Sequence, residues 1–223
     1  MYKHFGKRVA DILAGLAILF FFWWLILIAC LAIYIEDPGP VFFRQRRLGL
    51  HGKEFVMLKL RSMKQNSEHT GSGVYSGKDD PRLLKTGKLF RKLSIDELPQ
   101  AIHLISGKMS LIGPRPPLTY HPWPLAQYTE QQRHMFDVRP GITGWAQVNG
   151  RKGVEWHRRI ELNCWYADNV SFLLDAKIFF MTIGKVFAAA DNVNTEATLK
   201  PESQTAADTT ESGTTESAEN TDN

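Results

Sequence analysis

Residues 12–35 form a run of 24 side chains without a charge. As a helix the run would extend about 36 Å against a hydrocarbon core of about 30 Å, so it is long enough to cross a bilayer. It is too long for the h-region of an ordinary secretory signal. Leu27-Ile28-Ala29-Cys30 resembles a lipoprotein cleavage site, yet apolar residues continue through Leu31, Ala32, Ile33, Tyr34 and Ile35, where a polar tether would be needed. Cys30 therefore reads as a small apolar residue. Lys3, Lys7 and Arg8 flank one end, and Glu36, Asp37, Arg44, Arg46 and Arg47 the other. Bases on both sides pull both ends to the cytoplasm, which a re-entrant helix satisfies and a straight crossing does not. No proline interrupts the run, and Trp23-Trp24 sits at its centre, an odd depth for residues that favour interfaces in a straight crossing.

The rest of the chain suits one catalytic domain of ordinary size. Its formal charge of +4 conceals an asymmetry. Residues 191–223 hold eight acids against one base, leaving 26 bases and 15 acids, a net of +11, in the remainder. Such a body suits anionic lipid, nucleotide or nucleic acid, and charge alone does not choose among them. The tail is rich in Thr, Ser, Glu and Ala, lacks aromatics, and is expected to be disordered. Two cysteines, Cys30 and Cys164, build no disulfide framework, and the scattered histidines show no zinc-ligand spacing. The expected domains are a membrane-embedded helix over 1–37, a catalytic globule over 38–190 and the acidic tail over 191–223. Asp37-Pro38-Gly39-Pro40 marks the first boundary.

Val41-Phe42-Phe43 and Phe55-Val56-Met57-Leu58 read as strands around a loop containing Gly49 and Gly52, with Lys59 and Arg61 following. Those cations face a phosphate or form a solvated basic strand end. Residues 64–82 read as a surface loop. Helical spacing resumes through Leu84, Lys88, Leu89, Arg91 and Leu93, and a second helix is expected to begin near Asp96, with Asp96 as N-cap and Pro99 in the first turn.

The pair Asp96-Glu97 has two readings. Adjacent carboxylates among cations can hold a hard ion such as Mg2+ and supply an oxygen nucleophile. Equally, Asp96 can cap a helix, and Ser94-x-x-Glu97 has the form of a capping box. In Gly113-Pro114-Arg115-Pro116 the prolines fix an arginine on a stiff turn, as a phosphate clamp or as a surface ion-pair partner. Three glycines and a proline in residues 139–151 demand special backbone geometry, which can bring Gln147 or Asn149 to a ligand or simply connect two elements. An amphipathic pattern runs from 153 to 169, and Ser171 is placed to cap a last helix over 172–190. That helix is apolar on most faces, so it lies in the headgroup region or in the core.

In this order, the elements Lys7-Arg8-x-x-Asp11, Phe55-x-x-x-Lys59-x-Arg61-Ser62-Met63, Ser94-Ile95-Asp96-Glu97-Leu98-Pro99-Gln100, Gly113-Pro114-Arg115-Pro116 and Arg139-Pro140-Gly141-Ile142-Thr143-Gly144-Trp145-Ala146-Gln147-Val148-Asn149-Gly150-Arg151 resemble the bacterial sugar transferase family, specifically the small monotopic polyprenyl-phosphate phosphoglycosyl transferases. The likeness runs from about residue 7 to 187. It implies transfer of a sugar 1-phosphate from a UDP-sugar to polyprenyl (undecaprenyl) phosphate with release of UMP, the first membrane step of glycan assembly. It assigns Asp96 as nucleophile of a covalent phosphosugar intermediate, with Glu97 helping to hold Mg2+ or to position the pair. Arg115 would bind nucleotide or phosphate, followed by Lys59 and Arg91 as cationic candidates and Asp175 as a polar one. The implied fold is α+β and mainly helical, a re-entrant membrane helix joined to a catalytic globule on the cytoplasmic face of the bacterial inner membrane. Membrane lipid and downstream glycosyltransferases are the implied neighbours. One departure is visible: relatives carry a helix-breaking Ser-Pro where this chain has Trp23-Trp24.

Two rival classes share these residues. A Mg2+-dependent membrane phosphohydrolase would use the same pair with water as acceptor. A basic membrane scaffold would use its acids only as caps and ion pairs. Nucleic-acid binding has no accompanying fold signature.

Overall fold

The computed structural model describes residues 2–67, 80–149 and 155–187. The acidic tail and residues 68–79 of the expected surface loop lie outside the described residues. A π-helical turn, Tyr2–Gly6, leads into α1, Lys7–Glu36. A hairpin follows, β1 (Phe42–Leu48) and β2 (Glu54–Leu60), then α2 (Lys85–Leu93), a 3-10 helix (Ile95–Gln100) and α3 (Ala101–Ser106). Next come β3 (Ser110–Ile112), α4 (Glu130–Arg133), β4 (Gly141–Thr143), α5 (Trp145–Val148), α6 (Trp156–Asp168) and α7 (Phe172–Phe187). Among the described residues the architecture is mainly helical with two small sheets, the antiparallel pair β1-β2 and the parallel pair β3-β4.

At 30 residues α1 is about 45 Å long. It runs unbroken through Trp23-Trp24, where Trp24 Nε1 donates to the Phe21 carbonyl at 2.8 Å. Both of its ends are held by the globule. Toward the start, Ala14 and Ile18 pack on Met57, Leu104 and Met109. Gly15 lies so near α3 that a Cβ there would stand 2.9 Å from the Ala101 carbonyl oxygen, so only glycine permits this approach. Toward the far end, Ala29 and Ile33 pack with Leu60, Leu84 and Phe90. Each large apolar side chain buried this way contributes roughly 1.5–3 kcal/mol. Between the two anchors Phe20, Phe21, Trp23, Trp24, Leu27 and Leu31 remain exposed.

The hairpin is longer than the apolar residues alone predict. Arg44 and Arg46 alternate with half-buried Phe43, Gln45 and Arg47, so polar side chains occupy the outer face of a true strand. The turn is made where expected, with Gly52 at φ +69. Residues 139–151 hold structure that glycine content hides, namely β4 and the one-turn α5. Gly144 is essential to it, because a Cβ there would come within 1.9 Å of the Gly113 carbonyl oxygen. The last helix begins as expected, the Ser171 hydroxyl accepting the Leu174 N-H at 3.3 Å.

Candidate active site

The helix start at Asp96 differs from the sequence expectation. Ser94 closes α2 in the left-handed region (φ 57, ψ 24), and the 3-10 helix begins at Ile95. Asp96 is therefore inside the turn rather than its cap. Ser94 makes no side-chain cap, so the capping box is absent and the Glu97 side chain is directed elsewhere. Pro99 falls fifth in the 3-10 segment, just before α3 takes over at Ala101. A left-handed residue followed by a tight 3-10 turn is what swings both carboxylates against β2.

Glu97 Oε1 accepts from Lys59 Nζ at 2.7 Å and from Arg115 Nη2 at 3.3 Å. Lys59 reaches it because alternate side chains of β2 face inward, Lys59 sharing that face with buried Met57. Arg115 arrives from the turn after β3. That turn is braced against β4 by Gly113 N-H to Thr143 O and Gly141 N-H to Pro114 O, at 2.8 and 2.9 Å. Arg91, in the last turn of α2, donates through Nε to Ser62 Oγ at 2.9 Å and lies close enough to Asp96 to act on its charge. The structure thus brings together Asp96, Glu97, Lys59, Arg91 and Arg115: three cations around two carboxylates, a surplus suited to an anionic ligand.

The two acids of this pair are driven apart. Burial alone would raise the Glu97 carboxyl, but the Lys59 ammonium and the Arg115 guanidinium overcome it and hold it at about 2. Asp96 is 7% exposed, and among the described residues its carboxylate takes no hydrogen bond. Burial pushes its carboxyl up, the Glu97 charge adds to the rise, and Lys59, Arg91 and Arg115 oppose it. Burial likewise lowers Lys59. One carboxylate is thus a fixed counter-ion, while the other is largely buried and takes no hydrogen bond among the described residues. That division of roles is a recognised signature of reactive acids.

Asp175 stands in a different cluster. Lys7 Nζ meets its Oδ2 at 2.5 Å, Tyr2 donates to the same oxygen at 2.6 Å, and Tyr166 donates to Oδ1 at 2.6 Å. Tyr2, Lys7 and Asp175 line a cavity of about 250 Å3 between the start of α1 and α7, together with Phe172, Phe179 and Phe180. Tyr2, Lys7 and Tyr166 carry no sequence pattern that joins them to Asp175. Gln147 and Asn149, offered as ligand contacts, turn to the backbone instead, donating to Ile142 O and Trp145 O at 2.9 and 2.8 Å. Ser62 escaped assignment although it stands in the stretch that contains Lys59. Arg151 lies outside the described residues.

A model of the bacterial sugar transferase family matches residues 2–189. The uncharacterized sugar transferase EpsL of Bacillus subtilis (strain 168) is 44% identical over 183 residues, covering 82% of this chain and 88% of that protein. The UDP-glucose:undecaprenyl-phosphate glucose-1-phosphate transferase of Escherichia coli (strain K12) is 38% identical over 186 residues, 81% of this chain and 40% of that protein. The UDP-N-acetylgalactosamine-undecaprenyl-phosphate N-acetylgalactosaminephosphotransferase of Aeromonas hydrophila is 41% identical over 187 residues, 80% of this chain and 43% of that protein. The chain spans less than half the length of the last two.

Proposed function

Because the chain belongs to the bacterial sugar transferase family, we propose that it moves a sugar 1-phosphate from a UDP-sugar to undecaprenyl phosphate through an Asp96 phosphosugar intermediate. The observation that carries this reading is the contrast within the acidic pair, Glu97 neutralised by two cations and Asp96 7% exposed with no hydrogen-bond donor among the described residues.

In the first half-reaction an Asp96 carboxylate oxygen attacks the sugar-bearing phosphorus. The P-O bond to the uridine-bearing phosphate breaks and UMP leaves with that bridging oxygen. In the second, an oxygen of the lipid phosphate attacks the same phosphorus, releasing the Asp96 carboxylate and forming the polyprenyl diphosphate sugar. Ping-pong kinetics follow. Arg115, Lys59 and Arg91 meet negative charge as it spreads over the transferring phosphoryl oxygens.

Among the described residues no three His, Cys, Asp or Glu side chains form a metal cluster. The donor set does fit Mg2+, which commonly takes one or two carboxylates and completes its shell with water and substrate phosphate. Asp96 and the second oxygen of Glu97 are the residues to hold it. When bound, the ion would neutralise diphosphate charge and favour the departure of UMP.

The membrane reading rests on α1. Its start is tied by Lys7 to Asp175 and by Asp11 to Ser110; its end is tied by Glu36 to Thr86 and by Asp37 to Arg61. A straight crossing would carry one end away from the body that holds the other. The exposed apolar side of α1, with Phe172, Leu173, Phe179 and Phe180 of α7, supports insertion into one leaflet from the cytoplasmic side of the inner membrane.

Intact-protein mass spectrometry with Mg2+ and a panel of UDP-sugars, without lipid acceptor, tests the scheme. A sugar-phosphate mass gain with UMP release in the wild type, absent in Asp96→Asn, is expected. Lipid-linked product without any adduct would overturn the covalent route; no product from any donor would overturn the transferase reading.

A further inference from the structure

We infer that His103 is a positioning residue of this site, locking the strand that carries Lys59 to the helical segment that carries Asp96 and Glu97. The inference rests on the proposed transferase reading for its kinetic consequence and on geometry for the rest.

β2 uses one edge to pair with β1, and its other edge faces the globule. The Leu58 N-H on that second edge has no strand partner. It donates to His103 Nε2 at 3.0 Å. His103 is 6% exposed and sits on α3, which continues directly from the 3-10 helix bearing the acidic pair. Leu58 immediately precedes Lys59, whose Nζ meets Glu97 at 2.7 Å. One end of this junction is therefore the Lys59–Glu97 ion pair, and the other is the His103–Leu58 hydrogen bond. Losing this acceptor would leave a partly buried backbone N-H of the strand without its protein partner.

The arrangement also fixes the imidazole chemistry. Nε2 accepts, so the ring is neutral with its proton on Nδ1. Phe55 meets the ring edge-on at 5.8 Å between centroids. A protonated ring would aim an N-H at the Leu58 N-H and repel it. Charged groups on the neighbouring elements are Arg8 and Asp11 on α1, Lys59 on β2, Asp96 and Glu97 on the 3-10 helix, and Lys108 beyond α3. Arg8 is occupied by the carbonyls of Leu104 and Ile105, and Asp11 Oδ1 by Ser110 and Leu111, while Asp11 Oδ2 is buried without a partner among the described residues. Burial, with Lys108 adding to it, holds the ring below the usual histidine range, which favours the neutral form.

Two substitutions separate the possibilities in the full-length protein. His103→Phe keeps the ring packing and removes the acceptor. His103→Gln places an amide oxygen where Nε2 stands and removes the titration. With the UDP-sugar that forms the adduct and undecaprenyl phosphate, His103→Phe is expected to lose about 10- to 100-fold in kcat, the scale of a small misplacement of reacting groups. KM for the donor should change less than threefold. His103→Gln should retain kcat within about threefold at pH 8, and the wild-type to His103→Gln ratio of kcat should fall as pH drops and the wild-type ring protonates.

A readout independent of turnover is acetylation of Lys59 by acetic anhydride, read by peptide mass spectrometry against exposed Lys92. His103→Phe should raise Lys59 labelling several-fold and His103→Gln should not. If the wild type forms no lipid product, the transferase reading fails while the labelling still judges His103. Lys59 labelling and kcat both within twofold of wild type in His103→Phe would overturn the positioning role. Should His103→Phe fail to fold, a pH-independent kcat ratio for His103→Gln would overturn it.

Discussion

Among the described residues, two buried lysine–carboxylate junctions differ in what they leave unsatisfied. Around Asp175 every carboxylate oxygen has a donor: Lys7 and Tyr2 on one, Tyr166 on the other. Around Asp96-Glu97 the cations converge on Glu97, and Asp96 stays buried with no donor among the described residues. A fully satisfied junction joins elements; this one fastens the start of α1 to α6 and α7. A buried carboxylate without a protein donor costs stability, and acids perturbed in this way cluster at functional sites.

The largest test of that contrast is Asp96→Asn. Transfer should fall by at least about 10⁴-fold, the scale on which loss of a nucleophile or its partner is felt. Stability should rise. The folded carboxyl sits above its unfolded value, so the native state holds the proton more tightly and ionised Asp96 works against folding at neutral pH. The amide removes that burden, and a higher melting temperature checks it. A lower one would mean that Asp96 is a structural acid like Asp175.

Lys59→Met comes next. It strips Glu97 of its shortest ion pair and the proposed phosphate site of a cation, so kcat should fall about 10²- to 10³-fold, as for loss of a transition-state donor. Lys7→Met should behave oppositely. It leaves a carboxylate that is 7% exposed without its cation, costing about 3–5 kcal/mol in denaturant unfolding, with kcat of the folded enzyme within about threefold. Equal loss of kcat in both variants would erase the distinction, and would bring Asp175 back as a substrate contact.

A solvent-facing relative of these junctions supplies the weak limit. His134 bridges Asp137 at 2.5 Å and Asp168 at 2.6 Å, and its side chain is 41% exposed. Hydrogen bonds to Asp168 and Asp137 raise the ring above its usual value. The stabilisation is therefore full below the unfolded pKa of about 6.5 and disappears as pH rises through the folded one. Exposure limits it to less than about 1 kcal/mol, so His134→Gln should lower the melting temperature at pH 6 by no more than about 4 °C and leave it unchanged at pH 9.

Sequence alone determined the parts governed by local rules. An uncharged run of 24 residues has to form a helix with an apolar surface. Gly49 and Gly52 mark the hairpin turn, Ser171 caps α7, and Pro114-Arg115-Pro116 stiffens one arginine, because each follows from the conformations its own side chains permit. The ordered motifs were enough to suggest the family and, through it, to single out Asp96, Glu97, Lys59, Arg91, Arg115 and Asp175. What only tertiary structure decided is who meets whom. The local pattern at 94–97 reads as a cap and capping box. Packing against β2 overrules it, because the Lys59–Glu97 contact spans 38 residues of sequence. Tyr2 and Lys7 find Asp175 across 173 and 168 residues, a separation on which neither periodicity nor spacing carries any information. The chemistry of a carboxylate depends on its donors and its solvent, and those are supplied by chain segments that meet only when the core has formed.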